Sequence, residues 1–323
     1  MAEDILTQQS PFLALYADLK KEEEFYEKKP LLAHYTSLSN LESIFKHDEV
    51  WLSNPLFMND FEEVRFGVIE GLEQIKASKN LRTSLLVDSN YDTFIRHYYS
   101  FFSLFAEEHV IDTYVFCLSL HDQSDNDGKL SMWRGYGASG NGACIVLDSS
   151  KVLVLENSPF ILARVHYATR QERREKIVSY VDQLSVIIST LQQSDEQIRL
   201  AAYYLFERIK LFALFTKHSG FTEEDEWRIV YLPDRDLKKM IYPMIDYWIG
   251  PKGIEPKLKL ALKEIPFGEK GAFSLKKITD RIIVGPSTSS PMALKMVQKM
   301  LKKNSCDDLC NRVVASTIPF RNQ

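Results

Sequence analysis

Residues 113–120 have the sequence TYVFCLSL, in which β-branched and aromatic residues dominate. Such a run favours a β-strand, because these side chains pack well on a pleated surface. Comparable short runs recur along the chain, and they predict further strands at 31–36, 50–53, 143–148, 161–167, 226–232 and 313–318. We therefore expect the strand at 113–120 to be one member of a sheet.

Longer stretches with an apolar repeat of 3.6 residues separate these strands. They predict long helices at 171–191 and 195–217, and we also expect helices at 61–77, at 90–108 and in the strongly charged segment 11–29, which Pro30 ends. Because helices and strands do not alternate regularly, we expect an α+β fold, with a central mixed or antiparallel sheet of short strands and several long helices as insertions and flanks.

No linker, low-complexity tract or run of like charges divides the 323 residues. We therefore predict a single domain over 1–323, with its core at about 31–321. The N-terminal helix at 11–29 and a helical insertion at about 169–217 are the two predicted additions to that core.

The composition is that of an ordinary folded protein, since 45% of the residues are hydrophobic and 26% are charged. The net charge of −4 argues against a surface that attracts nucleic acid as a whole, but it leaves room for a local basic patch. No apolar run reaches the roughly 18 residues of a membrane span, and the N-terminal residues lack the apolar region of a signal peptide. We expect a cytoplasmic protein with reduced cysteines and no membrane partner.

Two C-terminal segments share a pattern of strand, tight turn and helix. One is Trp248-Ile249-Gly250-Pro251 followed by Pro256, and the other is Ile283-Val284-Gly285-Pro286 followed by Pro291. Both prolines are placed as if in the first turn of a helix. The hydroxyl residues 287–290 before the second helix are suited either to ordinary capping or to holding a phosphate.

A first polar cluster is His34-Tyr35-Thr36, on a predicted strand. Alternation along a strand puts His34 and Thr36 on one face and Tyr35 on the other. A histidine and a hydroxyl on one face are able to bind a ribose, and the alternative is a satisfied core histidine. Asn59 and Asp60 follow a proline-containing loop and are either binding residues or a turn and helix cap.

A second polar cluster is Glu224, Glu226 and Arg228, which alternate and are therefore expected on one face of a strand or of the entry to it. Two carboxylates on one face repel each other, which separates their pKa values and suits acid–base or oxocarbenium chemistry. The alternative is a surface ladder of ion pairs.

A glycine-rich turn at 135–142 lies beside Trp133 and Tyr136. We interpret it as a flexible lip with aromatic walls, with a plain hairpin connection as the alternative. It is not a phosphate-binding loop of the Gly-Lys-Ser/Thr type. Hydrolase and zinc motifs are absent from the sequence, and a calcium-like loop at 121–129 fails at Gln123 and Arg134, so no metal site is predicted.

These residues together resemble a bacterial family of uncharacterised proteins, domain of unknown function family 2971. The residues that carry the resemblance are His34-Tyr35-Thr36, Asn59-Asp60 with Glu62 or Glu63, Ser119, Trp133, Tyr136, Gly142 to Asp148, Lys217, Glu224, Glu226, Arg228 and Ser316 to Arg321. The resemblance covers roughly 31–321 and implies no particular activity.

The chain also resembles, more distantly, ADP-ribosyltransferases of the DNA- or toxin-modifying kind. This resemblance implies NAD as cofactor, with Glu226 holding the nicotinamide ribose and Glu224 orienting the acceptor. It implies cofactor contacts from His34, Tyr35, Thr36, Asn59, Asp60, Trp133, Tyr136 and Arg228. The sequence departs from that family in lacking a clear Ser-Thr-Ser strand and in the long spacing between His34 and Glu226.

The resemblance favours an NAD-using transferase or glycohydrolase in a toxin or phage-defence system, with a protein or nucleic acid as acceptor. One alternative is a non-enzymatic module that binds a nucleotide, another small molecule or a protein, with Glu224, Glu226 and Arg228 as a structural network. Another is metal-dependent phosphoryl or nucleic-acid hydrolysis that uses Asp60, Glu224 and Glu226. We expect the polar clusters to share one cleft, and the binding module would use the same groove. The sequence predicts no oligomeric state.

Overall fold

A computed structural model describes residues 10–19, 29–58, 61–151, 158–250, 253–265 and 274–320. The helices in this part of the chain are α1 (Leu38–His47), α2 (Phe61–Ala77), α3 (Lys79–Ser84), α4 (Asp88–Leu104), α5 (Leu130–Gly135), α6 (Arg170–Ser189), α7 (Asp195–Leu214), α8 (Leu275–Ile278) and α9 (Pro291–Lys303). The strands are β1 (Leu31–Thr36), β2 (Glu49–Ser53), β3 (Tyr114–His121), β4 (Ala143–Asp148), β5 (Phe160–Arg164), β6 (His166–Ala168), β7 (Thr216–His218), β8 (Glu226–Tyr231), β9 (Ile245–Gly250), β10 (Gly253–Ala261), β11 (Thr279–Val284) and β12 (Val313–Ala315).

These elements belong to two compact units, each built from three separate stretches of sequence. Unit 1 comprises Met1–Glu27, Pro55–Asp112 and Val165–Phe221, and unit 2 comprises Lys28–Asn54, Thr113–Arg164 and Thr222–Gln323. The predicted helical insertion at 169–217 lies entirely within unit 1. Whether the chain folds as the single domain predicted from the sequence stays a prediction.

Unit 1 is helical, and α7 is its centre. Almost every side chain in the second half of α7 is buried, and the helix packs against α2, α4 and α6. Gly67 lets α2 approach closely, because a Cβ atom there would lie 2.6 Å from the Cβ of Ala213. A capping box of Thr169 and Glu172 begins α6, in which each side chain accepts a hydrogen bond from the other residue's backbone N–H. β6 and β7 form a short parallel pair in the same unit.

Unit 2 contains a ten-stranded sheet with β3 at its centre. β8 pairs with one side of β3, and β1 and β2 pair with different parts of its other side. The sheet continues from β1 to β4, β11 and β12, from β2 to β10 and β9, and from β8 to β5. All pairs are antiparallel except β11 and β12. The sheet is therefore mixed, and the predicted α+β class is confirmed.

Most predicted elements are present within a few residues of their expected ends, and β1, β4 and α2 have the predicted bounds. The predicted strand at 161–167 is wrong, because it divides into β5 and β6, which belong to different sheets. At the N-terminus, Pro11–Tyr16 is a 3-10 helix, and residues 20–28 of the predicted helix lie outside the described part of the chain.

The predicted C-terminal repeat is only half correct. The second copy is β11 followed by α9, as expected, but the first copy is a β-hairpin of β9 and β10. Residues 257–260 are Lys-Leu-Lys-Leu, and this strict alternation has the two-residue period of a strand. The alternation of Lys and Leu therefore has more influence here than Pro256, which by its position favours the first turn of a helix.

The described helices do not include one that is long and apolar enough to cross a membrane. All four cysteines are free thiols, and Cys144 and Cys306 are buried.

Candidate functional site

The register of β3 and β8 determines which side chains of the second polar cluster share a face. Ser119 lies opposite Glu226, and Cys117 lies opposite Arg228. Residues directly opposite each other on antiparallel strands point to the same face of the sheet. Ala33 of β1 lies opposite Ser119, so this face also carries Ala33 and, two residues further, Tyr35.

Glu226 and Arg228 form a two-pronged ion pair on this face. The Arg228 Nε donates to Glu226 Oε1 at 2.8 Å, and Nη2 donates to Oε2 at 3.2 Å. The residues are only 3% and 2% exposed. A buried pair with this geometry satisfies both charges, and losing one partner leaves the other uncompensated in a poorly solvated place. The pair is thus suited to holding β8 in place.

Glu224 lies just before β8 and not within the regular strand. It ends a 3-10 helix, Ser219–Glu224, and Asp225 has a φ of 44° in the left-handed region. Aspartate tolerates this conformation, and it turns the chain before the strand begins. Glu224 therefore lies at the entry to β8, because the regular strand starts only at Glu226.

Glu224 instead meets Tyr136 at the surface. The Tyr136 hydroxyl donates to Glu224 Oε1 at 2.8 Å, and Tyr136 is 46% exposed while Glu224 is half-buried. The Ser119 hydroxyl donates to the Glu224 backbone carbonyl at 2.6 Å, which ties the turn at Glu224 and Asp225 to β3. Two residues of the predicted site, 88 positions apart, are thus in direct contact.

Lys129, Asp225 and Arg164 join this site, although the sequence did not single them out. The Asp225 carboxylate lies 2.7 Å from Arg164 Nη2 and 3.6 Å from Lys129 Nζ. Lys129 Nζ also donates to the Ser119 hydroxyl at 3.2 Å. Burial lowers the pKa of Lys129, and the nearby Asp225 carboxylate opposes that change. The only local signal was the position of Asp225 between two glutamates, because the two cations come from other elements.

We refer to these residues as the Tyr136–Glu224 cluster, consisting of Ser119, Lys129, Tyr136, Arg164, Glu224 and Asp225. With the adjacent Glu226–Arg228 pair, it brings together three cationic and three carboxylate side chains, so their formal charges cancel. Its exposed part offers a phenol, a carboxylate and a guanidinium. Such a surface is able to bind a polar ligand through several hydrogen bonds.

Tyr35 and Trp133 lie in the core, where they position Lys129. The Tyr35 ring packs edge-on against Trp133 with centroids 4.9 Å apart, and both residues are buried. The Lys129 backbone N–H donates to the Tyr35 hydroxyl at 2.8 Å, and Trp133 Nε1 donates to the Asp127 carbonyl at 2.8 Å. Contact with a cofactor stays a prediction for both residues, and their observed partners are protein groups.

His34 and Thr36 point to the opposite face of the sheet. The His34 ring stacks on Phe116 at 4.4 Å, and its Nδ1–H donates to the Cys117 carbonyl at 3.2 Å. A carbonyl only accepts, so Nδ1 carries the proton, and Nε2 is an acceptor in the neutral ring. Burial lowers the pKa of His34 and favours that neutral form. The Thr36 hydroxyl accepts a hydrogen bond from Asn40 Nδ2 at 3.1 Å.

The expectation that His34 and Glu226 share one cleft is therefore wrong. The two-residue period of β1 places His34 on the face opposite Tyr35, and the register through β3 gives the Tyr35 face to Glu226. Asn59 and Asp60 lie outside the described residues. Lys217, which also belongs to the resemblance, is a buried residue of unit 1.

The glycine-rich turn is tightly packed against its neighbours. A Cβ atom at Gly142 would lie 2.1 Å from the Thr36 carbonyl oxygen, and one at Gly137 would lie 2.4 Å from the Trp133 ring. Gly140 has a φ of 82°, which favours glycine. These glycines are thus explained by close approach of backbone and ring atoms, and the proposed flexibility of the lip stays a prediction.

Among the described residues, no group of three or more His, Cys, Asp or Glu side chains is placed to hold a metal ion. Two of the carboxylates named for a metal-dependent reaction, Glu224 and Glu226, have different environments. Glu226 is buried against Arg228, whereas Glu224 meets Tyr136 at the surface. Asp60, the third residue of that hypothesis, lies outside the described part.

Comparison with known proteins gives one match. Residues 132–229 match the model of a family described as "Protein of unknown function (DUF2971)". This segment resembles that family. It contains Trp133, Tyr136, Glu224, Glu226 and Arg228, and so includes most of the site described above. The chain matches no curated protein and no solved structure significantly. The resemblance to ADP-ribosyltransferases stays a prediction.

Proposed function

We propose that unit 2 binds the ribose of a nucleotide at the Tyr136–Glu224 cluster. The observation that carries the proposal is the surface contact between the Tyr136 hydroxyl and the Glu224 carboxylate, at 2.8 Å. A carboxylate accepts hydrogen bonds from the two neighbouring hydroxyls of a ribose. A half-exposed tyrosine ring offers a flat apolar face to the sugar or the base.

The balance of charges in the cluster also supports a sugar as the central part of the ligand. Because three cations and three carboxylates compensate one another, neutral hydroxyl groups fit this surface without leaving a charge unpaired. Arg164 is the most exposed cation of the cluster, with a half-exposed side chain. Its guanidinium is suited to a phosphate of the same nucleotide, because it can donate two parallel hydrogen bonds.

An NAD-using transferase or glycohydrolase is the second candidate, and the same contact favours it. In that reaction, the bond between ribose C1′ and nicotinamide breaks, and the electron pair leaves with nicotinamide. The acceptor, or water in a glycohydrolase, then adds to C1′ and loses a proton. A carboxylate beside the ribose stabilises the positive charge that develops on the sugar.

Within this second candidate, Glu224 is better placed than Glu226 to act on the sugar. Both oxygens of Glu226 accept hydrogen bonds from Arg228 in a buried position. Glu224 is half-buried beside the exposed Tyr136. We therefore assign the ribose contact to Glu224 and a positioning role to Glu226, whereas the sequence resemblance gives the ribose contact to Glu226.

Thermal-shift measurements with NAD, ADP-ribose and ATP test the binding proposal. We expect at least one nucleotide to raise Tm, because a ligand at 100 times its Kd stabilises a protein by about 2.7 kcal/mol. Tyr136→Phe and Glu224→Gln should reduce that shift. Glu223→Gln is the matched control. It removes the same charge from the residue next to Glu224, and the side chain of Glu223 is exposed.

Release of nicotinamide from NAD, followed by chromatography, separates the two candidates. Stabilisation with release supports the enzyme, and stabilisation without release supports a binding module. Shifts that are equal in the parent, Tyr136→Phe and Glu224→Gln would place the ligand elsewhere and contradict the site. The absence of a shift with every nucleotide would contradict both candidates.

A further inference from the structure

Helix α9 has an unusual concentration of positive charge. Its 13 residues, PMALKMVQKMLKK, include four lysines and no acidic residue. The whole chain, in contrast, has a net charge of −4. The basic residues are Lys295, Lys299, Lys302 and Lys303. The sequence left room for a local basic patch, and α9 is where the structure shows one.

The fold leaves this charge at the surface. Val297 and Leu301 are buried and attach α9 to unit 2, where it packs against β12 and the 3-10 helix Asp307–Arg312. All four lysines are exposed. At 100° per residue, they fall in one sector of the helix, opposite Leu301. Met292 and Met296 occupy the same sector and are 65% and 46% exposed. We refer to this sector as the α9 lysine face.

The lysines of this face also differ from six other lysines of unit 2 in their partners. Within the described residues, none of the four forms an ion pair with a carboxylate. Six other lysines of the unit do so, in the pairs Lys129–Asp225, Lys151–Asp148, Lys257–Glu255, Lys259–Asp246, Lys263–Asp48 and Lys276–Asp308. The positive charge of α9 is thus not neutralised by the fold around it.

The hydroxyl groups before α9 have hydrogen-bond partners within the protein. The Ser290 hydroxyl accepts from the Ala293 N–H and caps the helix. The Thr288 and Ser289 hydroxyls donate to backbone carbonyls within their own turn. These interactions favour the capping alternative. The positive charge of this region therefore lies on the α9 lysine face, which is suited to attract an anion.

We infer that the α9 lysine face binds the phosphate backbone of a double-stranded nucleic acid. The first and last of the four lysines are eight positions apart, which is about 12 Å of helix axis. A duplex carries one negative charge per roughly 1.7 Å, so it presents about seven charges over that length. The duplex therefore supplies enough phosphates to pair with each lysine at once.

The binding is independent of base sequence. Paired hydrogen bonds to base edges in the major groove come from Arg or Lys to guanine and from Asn or Gln to adenine. A lysine ammonium is a point charge and lacks the planar fork of arginine, so it suits single phosphates. The lysine face carries no Arg or Asn, and the Nε2 of Gln298 donates to the Cys310 carbonyl at 3.0 Å. The two methionines are unbranched and adapt to an irregular surface, which suits contact with sugars. Lysine and methionine together bind the backbone without reading the bases.

Fluorescence anisotropy with a labelled 20-base-pair DNA duplex tests this inference on the full chain. If all four lysines contact phosphates, affinity falls about 150-fold between 50 and 200 mM salt. The variant Lys295→Gln/Lys299→Gln should bind more weakly and lose only about 12-fold over the same range, because two contacts are gone. A second duplex of unrelated sequence should bind equally well.

The matched control is Lys151→Gln/Lys263→Gln, which removes the same charge from two exposed lysines that are ion-paired. We expect this control to keep the affinity and salt dependence of the parent. Equal losses in both double variants would overturn the inference, since overall charge would then explain the binding. Undetectable duplex binding at 50 mM salt would also overturn it. So would binding to phosphatidylserine vesicles in place of DNA.

Discussion

Glu226 has the sequence pattern of a catalytic carboxylate, but in the structure it forms a buried ion pair with Arg228. Glu226→Gln removes the charge that Arg228 faces at 2.8 Å, and Arg228 remains buried. We expect the free energy of unfolding to fall by about 3–5 kcal/mol, the usual cost of breaking a buried pair. Urea denaturation followed by fluorescence measures this change.

Two further variants isolate the ion pair. Glu223→Gln should change the stability by less than about 0.5 kcal/mol, because its side chain is exposed. Replacing both Glu226 and Arg228 by methionine should cost less than Glu226→Gln alone, since no buried charge is left unpaired. If Glu226→Gln is as stable as the parent, the structural role assigned to the pair is wrong.

His34 makes the stability depend on pH. Burial lowers its pKa below the ordinary value of 6.5, so the unfolded chain binds the proton more readily than the folded one. The free energy of unfolding is therefore unaffected by His34 protonation well above pH 6.5, and it decreases as the pH falls below that value. The slope from one such group is at most about 1.4 kcal/mol per pH unit.

Comparison with His34→Gln separates this effect from other titrating groups. His121 also has a pKa lowered by burial, but it is present in both proteins and its contribution cancels. We expect the stability difference between parent and variant to shrink between pH 7 and pH 5, as measured by urea denaturation. A difference that stays constant over that range would show that His34 titrates equally in both states.

At the scale of elements, residues 122–129 form the loop between β3 and α5, and hydrogen bonds within the loop and from Arg281 of β11 fix its conformation. Asp125 Oδ1 accepts from the Asp127 and Gly128 N–H groups, and Arg281 donates to the loop carbonyl of Gln123 at 2.8 Å. Loops closed by such interactions have a defined conformation. The loop ends at Lys129, so its conformation determines where Lys129 enters the site.

Gly128 is the residue of this loop that tolerates no side chain. Its φ is +73°, and a Cβ atom would lie 2.7 Å from the Tyr35 hydroxyl, which accepts from Lys129. We expect Gly128→Ala to lower the free energy of unfolding by about 1–3 kcal/mol. It should also weaken any nucleotide-induced rise in Tm, because it displaces Lys129.

Gly135→Ala is the matched control for this loop. A Cβ atom at Gly135 would meet no other atom within 4 Å, and the residue ends α5. Alanine at this position should leave the stability unchanged or raise it slightly, since it has the higher helix propensity. Equal destabilisation by the two substitutions would mean that the geometry at Gly128 is not the cause.

For the whole molecule, the two units predict two separate unfolding transitions. All four tryptophans, Trp51, Trp133, Trp227 and Trp248, lie in unit 2. The four longest described helices, α2, α4, α6 and α7, lie in unit 1. Tryptophan fluorescence therefore reports unit 2, whereas circular dichroism at 222 nm is dominated by unit 1.

We expect the urea midpoints from these two probes to differ, because coincident transitions are the mark of a single cooperative unit. Superimposable curves would instead support the single domain predicted from the sequence. The ion-pair variant Glu226→Gln provides an internal check. It should shift the fluorescence transition more than the circular dichroism transition, since Glu226 belongs to unit 2.

The sequence predicted the elements of this protein well where their signal is local. The strand bounds of β1 and β4 and the bounds of α2 were correct, and so was the α+β class. In each case, the period of apolar residues along a few turns or pleats is a property of near neighbours in the chain. The hairpin of β9 and β10 has two opposing local signals, because Pro256 favours the start of a helix whereas residues 257–260 have the two-residue period of a strand.

The amino-acid sequence by itself determined most of the helices and strands and singled out Tyr136, Glu224, Glu226 and Arg228. Only the tertiary structure decided their partners, because strand register depends on burying whole faces of a sheet and is not encoded by neighbours in the chain. It brought Tyr136 to Glu224 across 88 residues and Arg164 to Asp225 across 61 residues. The same register put His34 on the face opposite Glu226.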